Sequence, residues 1–191
     1  MSPAPRGKLV VISAPSGAGK TTIAHAILAA HPAMGFSVSA TTRRPRAGEE
    51  DGREYHFLTN EEFRRRVGAG EFVEWEEIYG DCYGTLKVEV DRALSAGQQL
   101  LFDIDVKGGL SIRAAYPEAL LIFIRPPDAA ALEKRLRGRK TEDPATLARR
   151  LGRVPLEMEL GARFDHQVVN DDLPRAIAEV DAIVKAYLDQ S

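Results

Sequence analysis

No internal disulfide can form in this chain, which carries a single cysteine, Cys82, among 191 residues. That usage fits a reducing compartment. No apolar run approaches the roughly 20 residues that a membrane-crossing helix needs. The first residues, Met1 to Lys8, lack the apolar stretch of a secretory signal. A cytoplasmic location with no membrane attachment is therefore expected. Charge of one sign is not in excess either: the formal net charge is −2, which gives no bulk attraction to a nucleic-acid polymer. Internal repeats, heptad seams and low-complexity tracts are missing. The histidines, His25, His31, His56 and His166, fall at no metal-ligand spacing. What remains is the length of one domain with a sizeable core.

The most informative segment follows the apolar run Leu9-Val10-Val11-Ile12. It reads Ala14-Pro15-Ser16-Gly17-Ala18-Gly19-Lys20-Thr21. A buried strand, a glycine-rich turn and Lys-Thr opening a helix form a phosphate-binding P-loop. The glycines let backbone N–H groups curl around phosphate oxygens, and the helix start adds unpaired donors and the positive end of its dipole. Lys20 supplies a cation for the β- and γ-phosphates, and the Thr21 hydroxyl is placed to ligate Mg²⁺. Ala14 stands where the pattern usually has glycine, so this position needs a small residue and not a positive φ.

Strand-like and helix-like stretches alternate along the rest of the chain. The spacing predicts a helix over 20–30, with Ile23, Ala26, Ile27 and Ala30 on one face. Leu100–Asp105 reads as a buried parallel strand and is followed by a short helix near 108–116. Ala119–Ile124 reads as another strand, Asp128 as the N-cap of a helix over 129–138, and Val168-Val169 as a short strand. Pro174 opens a terminal amphipathic helix carrying Ile177, Val180, Ile183, Val184 and Leu188. This alternation predicts an α/β fold of the P-loop type, a parallel sheet flanked by helices with ligands beyond the strand C-terminal ends.

Two segments interrupt the alternation. Residues 34–87 look like an inserted module, with a strand at Phe36–Ala40, a loop over 43–54, a helix over 60–69 and a strand at Phe72–Ile78. Residues 136–155 are polar and rich in arginine (Arg137, Arg139, Arg149, Arg150, Arg153), the composition of a mobile cover over an anion or of a solvated charged helix pair. The expected organisation is a core of 1–33, 88–135 and 156–191, an acceptor-binding insertion over 34–87 and a lid over 136–155.

The insertion carries Ser37-Val38-Ser39-Ala40-Thr41-Thr42-Arg43-Arg44-Pro45-Arg46-Ala47-Gly48-Glu49, then Gly52-Arg53-Glu54-Tyr55-His56-Phe57, Phe72-Val73-Glu74-Trp75 and Tyr83-Gly84-Thr85. With Asp103-Ile104-Asp105 and Val169-Asn170-Asp171-Asp172, these stretches resemble the guanylate kinase family, in order and spacing, over nearly the whole chain. The resemblance implies transfer of the ATP γ-phosphoryl group to GMP or dGMP with Mg²⁺, within purine nucleotide metabolism. ATP and GMP are the implied partners of a monomer or small homo-oligomer.

The same resemblance assigns roles. It places Arg43, Arg46, Tyr55 and Tyr83 on the GMP phosphate, where two planar guanidinium forks suit a dianion. It places Glu74, Ser39 and Thr85 on the guanine, with Gly84 beside them and Asp105 at a further GMP contact. A carboxylate accepts guanine N1–H and N2–H together and would repel the adenine N1 acceptor. Arg135, Arg139 and Arg150 match arginines that reach the ATP phosphates, and Asn170 matches a position near the adenine. Asp103, ending a buried strand near the P-loop, reads as a member of the metal shell with Thr21 or as a residue that orients a partner, and Lys20, Arg43, Arg139 and Arg150 are expected to serve catalysis. Glu71, Glu76 and Glu77 read as surface carboxylates paired with neighbours, and Pro155 falls where a helix interior is expected. Two other readings compete: a P-loop kinase of a phosphorylated sugar such as ribose 1,5-bisphosphate, which has no need of Glu74, and a guanylate-kinase-like binding module, which generally lacks a working P-loop.

Overall fold

The computed structural model describes residues 7–53, 55–78, 80–137 and 144–190. The first strand, β1 (Lys8–Ser13), runs into the P-loop and α1 (Lys20–Ala30). The chain then forms β2 (Met34–Phe36), β3 (Ser39–Thr41), β4 (Tyr55–Phe57), α2 (Asn60–Gly68), β5 (Phe72–Ile78), β6 (Asp81–Leu86) and α3 (Lys87–Ser95). It returns through β7 (Gln99–Asp103), α4 (Val106–Ala115), β8 (Leu120–Arg125), α5 (Ala129–Arg137), α6 (Pro144–Gly161), β9 (His166–Val169) and α7 (Leu173–Leu188).

The larger sheet is five-stranded, in the order β2-β7-β1-β8-β9, and its pairings are parallel. Helices cover both faces, so its central strands carry continuous apolar runs, over 9–12, 100–102 and 120–124, and not an alternating pattern. Along β1, Val10 and Ile12 face one way, against Ile23 and Ile27 of α1 and Val180 and Val184 of α7. Leu9 and Val11 face the other way, against Phe102, Ile112, Phe123 and Phe164. On α1 the third buried residue is Ala24; Ala26 and Ala30, expected on that face, lie less deep and at the surface.

The smaller sheet, ordered β4-β3-β6-β5, lies within the insertion. It has its own small core of Ala40, Phe63, Phe72, Cys82 and Leu86, with the Phe63 and Phe72 rings stacked 4.4 Å apart. The expected single strand Phe36–Ala40 is two strands in two sheets. Met34–Phe36 pairs with β7 of the larger sheet, and Ser39–Thr41 pairs with β4 and β6 of the smaller one. The chain crosses between them at Ser37 and Val38, so residues 34–36, expected in the insertion, belong to the larger sheet.

The segment expected to form a lid also differs. Helix α6 runs unbroken from Pro144 past Pro155 to Gly161, so the boundary expected after residue 155 falls inside one helix. Pro155 has no N–H to give the carbonyl four residues back, and the helix continues regardless. Leu147, Leu151 and Val154 pack against the main core; this stretch is therefore not only a charged face. Among the described residues no helix is long and apolar enough to cross a membrane.

Candidate active site

The P-loop has the geometry its sequence demands. A turn closes it, with Ala18 N–H donating to the Pro15 carbonyl at 3.1 Å. Gly19 sits at φ 97°, and a Cβ there would lie 2.4 Å from Asn170 Nδ2, so both conformation and space require glycine. No side chain caps α1 and its first turn holds no acidic residue, which leaves the N–H groups and the dipole of that end to an anionic ligand. Lys20 Nζ lies 2.7 Å from Asp103 Oδ1 and 3.1 Å from the Ile104 carbonyl. Thr21 Oγ1 donates to Asp103 Oδ2 at 2.8 Å. The hydroxyl and carboxylate expected at a metal are thus adjacent, as hard oxygen donors of the kind Mg²⁺ takes with nucleotide phosphates. Among the described residues no three His, Cys, Asp or Glu side chains form a metal cluster.

Other elements close on this loop. Arg150 of α6 donates from Nη1 to Ser16 Oγ at 2.9 Å. Arg135 of α5 donates to the Asn170 carbonyl at 2.8 Å. The buried Asn170 side chain donates from Nδ2 to the Ala18 carbonyl at 2.7 Å, so it braces the P-loop from behind. Arg139 lies outside the described residues. A cleft of about 300 Å³ opens over the loop, lined by Ser16, Lys20, Thr21, Glu76, Asp105 and Arg150 among others.

Most of the residues expected at the acceptor lie on or beside the smaller sheet. Arg43 lies with its guanidinium 5.2 Å from the Tyr55 ring centre, and the Tyr55 and Tyr83 rings meet edge-on at 6.1 Å. Arg43 also has a partner the sequence did not suggest. Its fork pairs with both Glu49 oxygens, at 3.0 and 2.9 Å, and Glu49 Oε2 accepts the Arg46 backbone N–H at 2.7 Å. These contacts hold the Glu49 carboxyl below its usual range. The Arg46 side chain is exposed on the same loop, and Ser39 is half-buried beside Tyr55 in the β3–β4 pairing.

Glu74 lies on β5 facing Thr85, whose hydroxyl donates to Glu74 Oε1 at 2.6 Å; its Oε2 rests against Gly108 in the first turn of α4. Burial pushes the Glu74 carboxyl up to about 7, with the Thr85 hydrogen bond opposing and the Asp105 charge adding to the rise. Gly84 is required by the backbone itself, since a Cβ there would lie 2.8 Å from the Glu74 carbonyl oxygen. Asp105 caps α4, accepting the Gly108 N–H at 2.7 Å. Burial alone would raise its carboxyl, but hydrogen bonds from Glu76 and Gly108 hold it low.

Glu76 corrects the sequence reading. Two residues beyond Glu74 on the same strand face, it lines the cleft, hydrogen-bonded to Asp105, and that bond with burial pushes its carboxyl up to about 7. Glu157 of α6 lines the cleft too, and burial raises its carboxyl. The strand period of two and the helical spacing of Arg150, Arg153 and Glu157 were the available signals.

The sheet order, the glycine-rich turn into α1 and the Lys20–Thr21–Asp103 cluster define a P-loop nucleotide-binding protein with an inserted second sheet. Comparison with known proteins narrows this class. The family model described as guanylate kinase matches residues 6–187. A relative from Anaeromyxobacter dehalogenans, named guanylate kinase, is 51% identical over 181 residues, 94% of this chain and 80% of that protein. One of the same name from Salinibacter ruber is 50% identical over 186 residues, covering 96% of this chain and 98% of that one. The crystal structure of guanylate kinase from Anaplasma phagocytophilum superposes with a TM-score of 0.76 at 28% identity, over 98% of this chain and 89% of that one. The chain belongs to the guanylate kinase family.

Proposed function

We propose that this protein transfers the γ-phosphoryl group of ATP to GMP, and to dGMP, giving ADP and the nucleoside diphosphate. The observation that carries the reading is the placement of Glu74 and Thr85 at the start of α4, next to Asp105 and so beside the cleft over the P-loop. A base seated on Glu74 has its phosphate end toward Arg43, Tyr55 and Tyr83, and the donor triphosphate lies on the P-loop.

Phosphoryl transfer asks the protein for positioning and charge compensation, not for a nucleophile. In this reading the N–H groups of 17–21 and the Lys20 ammonium hold the donor phosphates, and Lys20 exchanges its Asp103 contact for them. Arg135, Arg139 and Arg150 compensate charge on the transferring group from the α5–α6 side. Arg43, Arg46, Tyr55 and Tyr83 aim an acceptor phosphate oxygen in line. Glu74, ionised, accepts guanine N1–H and N2–H, while Ser39 and Thr85 present hydroxyls to the base edge and Gly84 lets β5 and β6 approach. Asp105 and Asn170 hold α4 and the P-loop in register around the two nucleotides.

Mg²⁺ fits the Thr21 and Asp103 oxygens and supplies electrostatic stabilisation of the transferring phosphates when bound. The smaller sheet with α2, and the α5–α6 segment, are proposed to close over the two bound nucleotides and so exclude water. A coupled assay of the purified protein tests the reading. ADP must form with ATP, Mg²⁺ and GMP together and not when GMP is omitted; GMP-independent ADP formation at the same rate refutes it.

A further inference from the structure

Arg153 is one turn along α6 from Arg150 and reaches in two directions. Its Nη2 lies 3.2 Å from Glu76 Oε1 on β5, and its Nε lies 3.4 Å from Glu157 Oε1 on its own helix. Glu157 thereby aims the guanidinium and Glu76 receives it. All three side chains line the cleft over the P-loop. One oxygen of each carboxylate, Glu76 Oε2 and Glu157 Oε2, is buried with no hydrogen-bond partner among the described residues. The carboxylate ends of the bridge are thus part-buried, while the Arg153 side chain is 44% exposed, so solvent screens the pair in part.

The two ends of this bridge sit on elements that different nucleotides would fix. Helix α6 is tied to the P-loop through Arg150 and Ser16, so a donor nucleotide constrains it. Strand β5 carries Glu74 one pleat from Glu76, so an acceptor base constrains it. Glu76 is shared with Asp105, and Arg153 donates a hydrogen bond to it; such a bridge between two elements is strongest when both are seated, and whatever seats one favours the seating of the other.

We propose that Glu76 and Arg153 are positioning residues, a catch between α6 and the smaller sheet through which donor and acceptor binding strengthen one another. This rests on the proposed kinase reading. Neither residue touches the reacting atoms, and Glu157 serves the catch by orienting Arg153.

The test is the dissociation constant of GMP, measured by calorimetry with and without a non-hydrolysable ATP analogue and Mg²⁺. In the unaltered protein the analogue tightens GMP binding. Glu76→Gln and Arg153→Gln, made separately, each lower that tightening by about fivefold, the worth of one such ion pair. GMP binding without the analogue stays within about twofold, which a general loss of structure would not leave intact. The double variant shows the same loss as either single one, because both remove one interaction. Arg153→Lys, which keeps the charge, retains part of the tightening. The proposal is overturned if the analogue does not tighten GMP binding in the unaltered protein, if the single variants keep full tightening, or if their losses multiply in the double variant. An unaltered protein that binds no GMP at all overturns the kinase reading instead.

Discussion

Replacing Glu74 by Gln should stabilise the protein and impair its use of GMP, both in a pH-dependent way. The Glu74 carboxyl is raised from 4.5 to about 7, because burial disfavours its charged form. Below about pH 4.5 the group is protonated folded and unfolded, and it exerts no net effect. As the pH rises towards 7, the folded state holds a proton that the unfolded chain has released, so folding stability falls along this interval. Above pH 7 both states are ionised and the full cost of the buried charge is present, about 3 kcal/mol. Gln keeps the carbonyl that accepts the Thr85 hydroxyl but never ionises. The variant should match the parent near pH 4.5 and melt higher at pH 8, by up to roughly 6–12 °C for a domain of this size. GMP use moves oppositely. The guanine donors need the carboxylate, so the parent's KM for GMP rises about tenfold from pH 8 to pH 6. The acceptor phosphate also titrates near pH 6, but it does so for both proteins, so the difference between the two profiles isolates Glu74. Thermal melts and initial rates at pH 4.5, 6, 7 and 8 decide the matter. A variant that melts lower than the parent at pH 8, or one whose GMP profile overlays the parent's, would refute the reasoning.

Three further outcomes follow from the site. Lys20→Ala should abolish turnover with the fold kept, since the half-buried ammonium meets Asp103 and the Ile104 carbonyl in the cleft and not the apolar core; steady-state rates and a far-ultraviolet dichroism spectrum check this. Arg43→Ala should weaken GMP binding by about 10- to 100-fold, the range for a charge-assisted bond, and leave ATP binding unchanged by calorimetry; equal losses for both nucleotides would contradict the division of the site. Arg150→Ala should lower kcat by orders of magnitude, as arginines that stabilise a transferring phosphoryl do, with a smaller change in KM for GMP.

The parts of this structure that were legible in the sequence are those whose signals are local. The P-loop, α1, β1, β7 and β8 announce themselves by continuous apolar runs and a glycine-rich turn, because a strand covered on both faces must be apolar throughout. The Asp128 cap was equally readable, and its Oδ1 accepts the Ala131 N–H at 2.6 Å. Strands β3 and β4 were not legible as separate elements: each spans three residues, too few to display a period, and each is held by partners remote in sequence. The split at Ser37 and Val38 was hidden for the same reason, since nothing local marks a change of sheet. In the site, the residue types proposed to meet phosphate and guanine could be named from motif and chemistry. Their own carboxylate partners could not. Glu49 against Arg43 and Glu76 against Arg153 are contacts made by folding, and a lone glutamate in sequence reads as a surface charge.

Phosphorylation of GMP at this cleft is best tested by offering ATP and Mg²⁺ with GMP, dGMP, AMP, CMP or UMP in turn and following the products by ³¹P resonance. Diphosphate should form from GMP and dGMP, with little from AMP, CMP or UMP, and Glu74→Gln should lose that preference. Equal turnover of AMP and GMP by the unaltered protein, or no diphosphate from GMP, would contradict it.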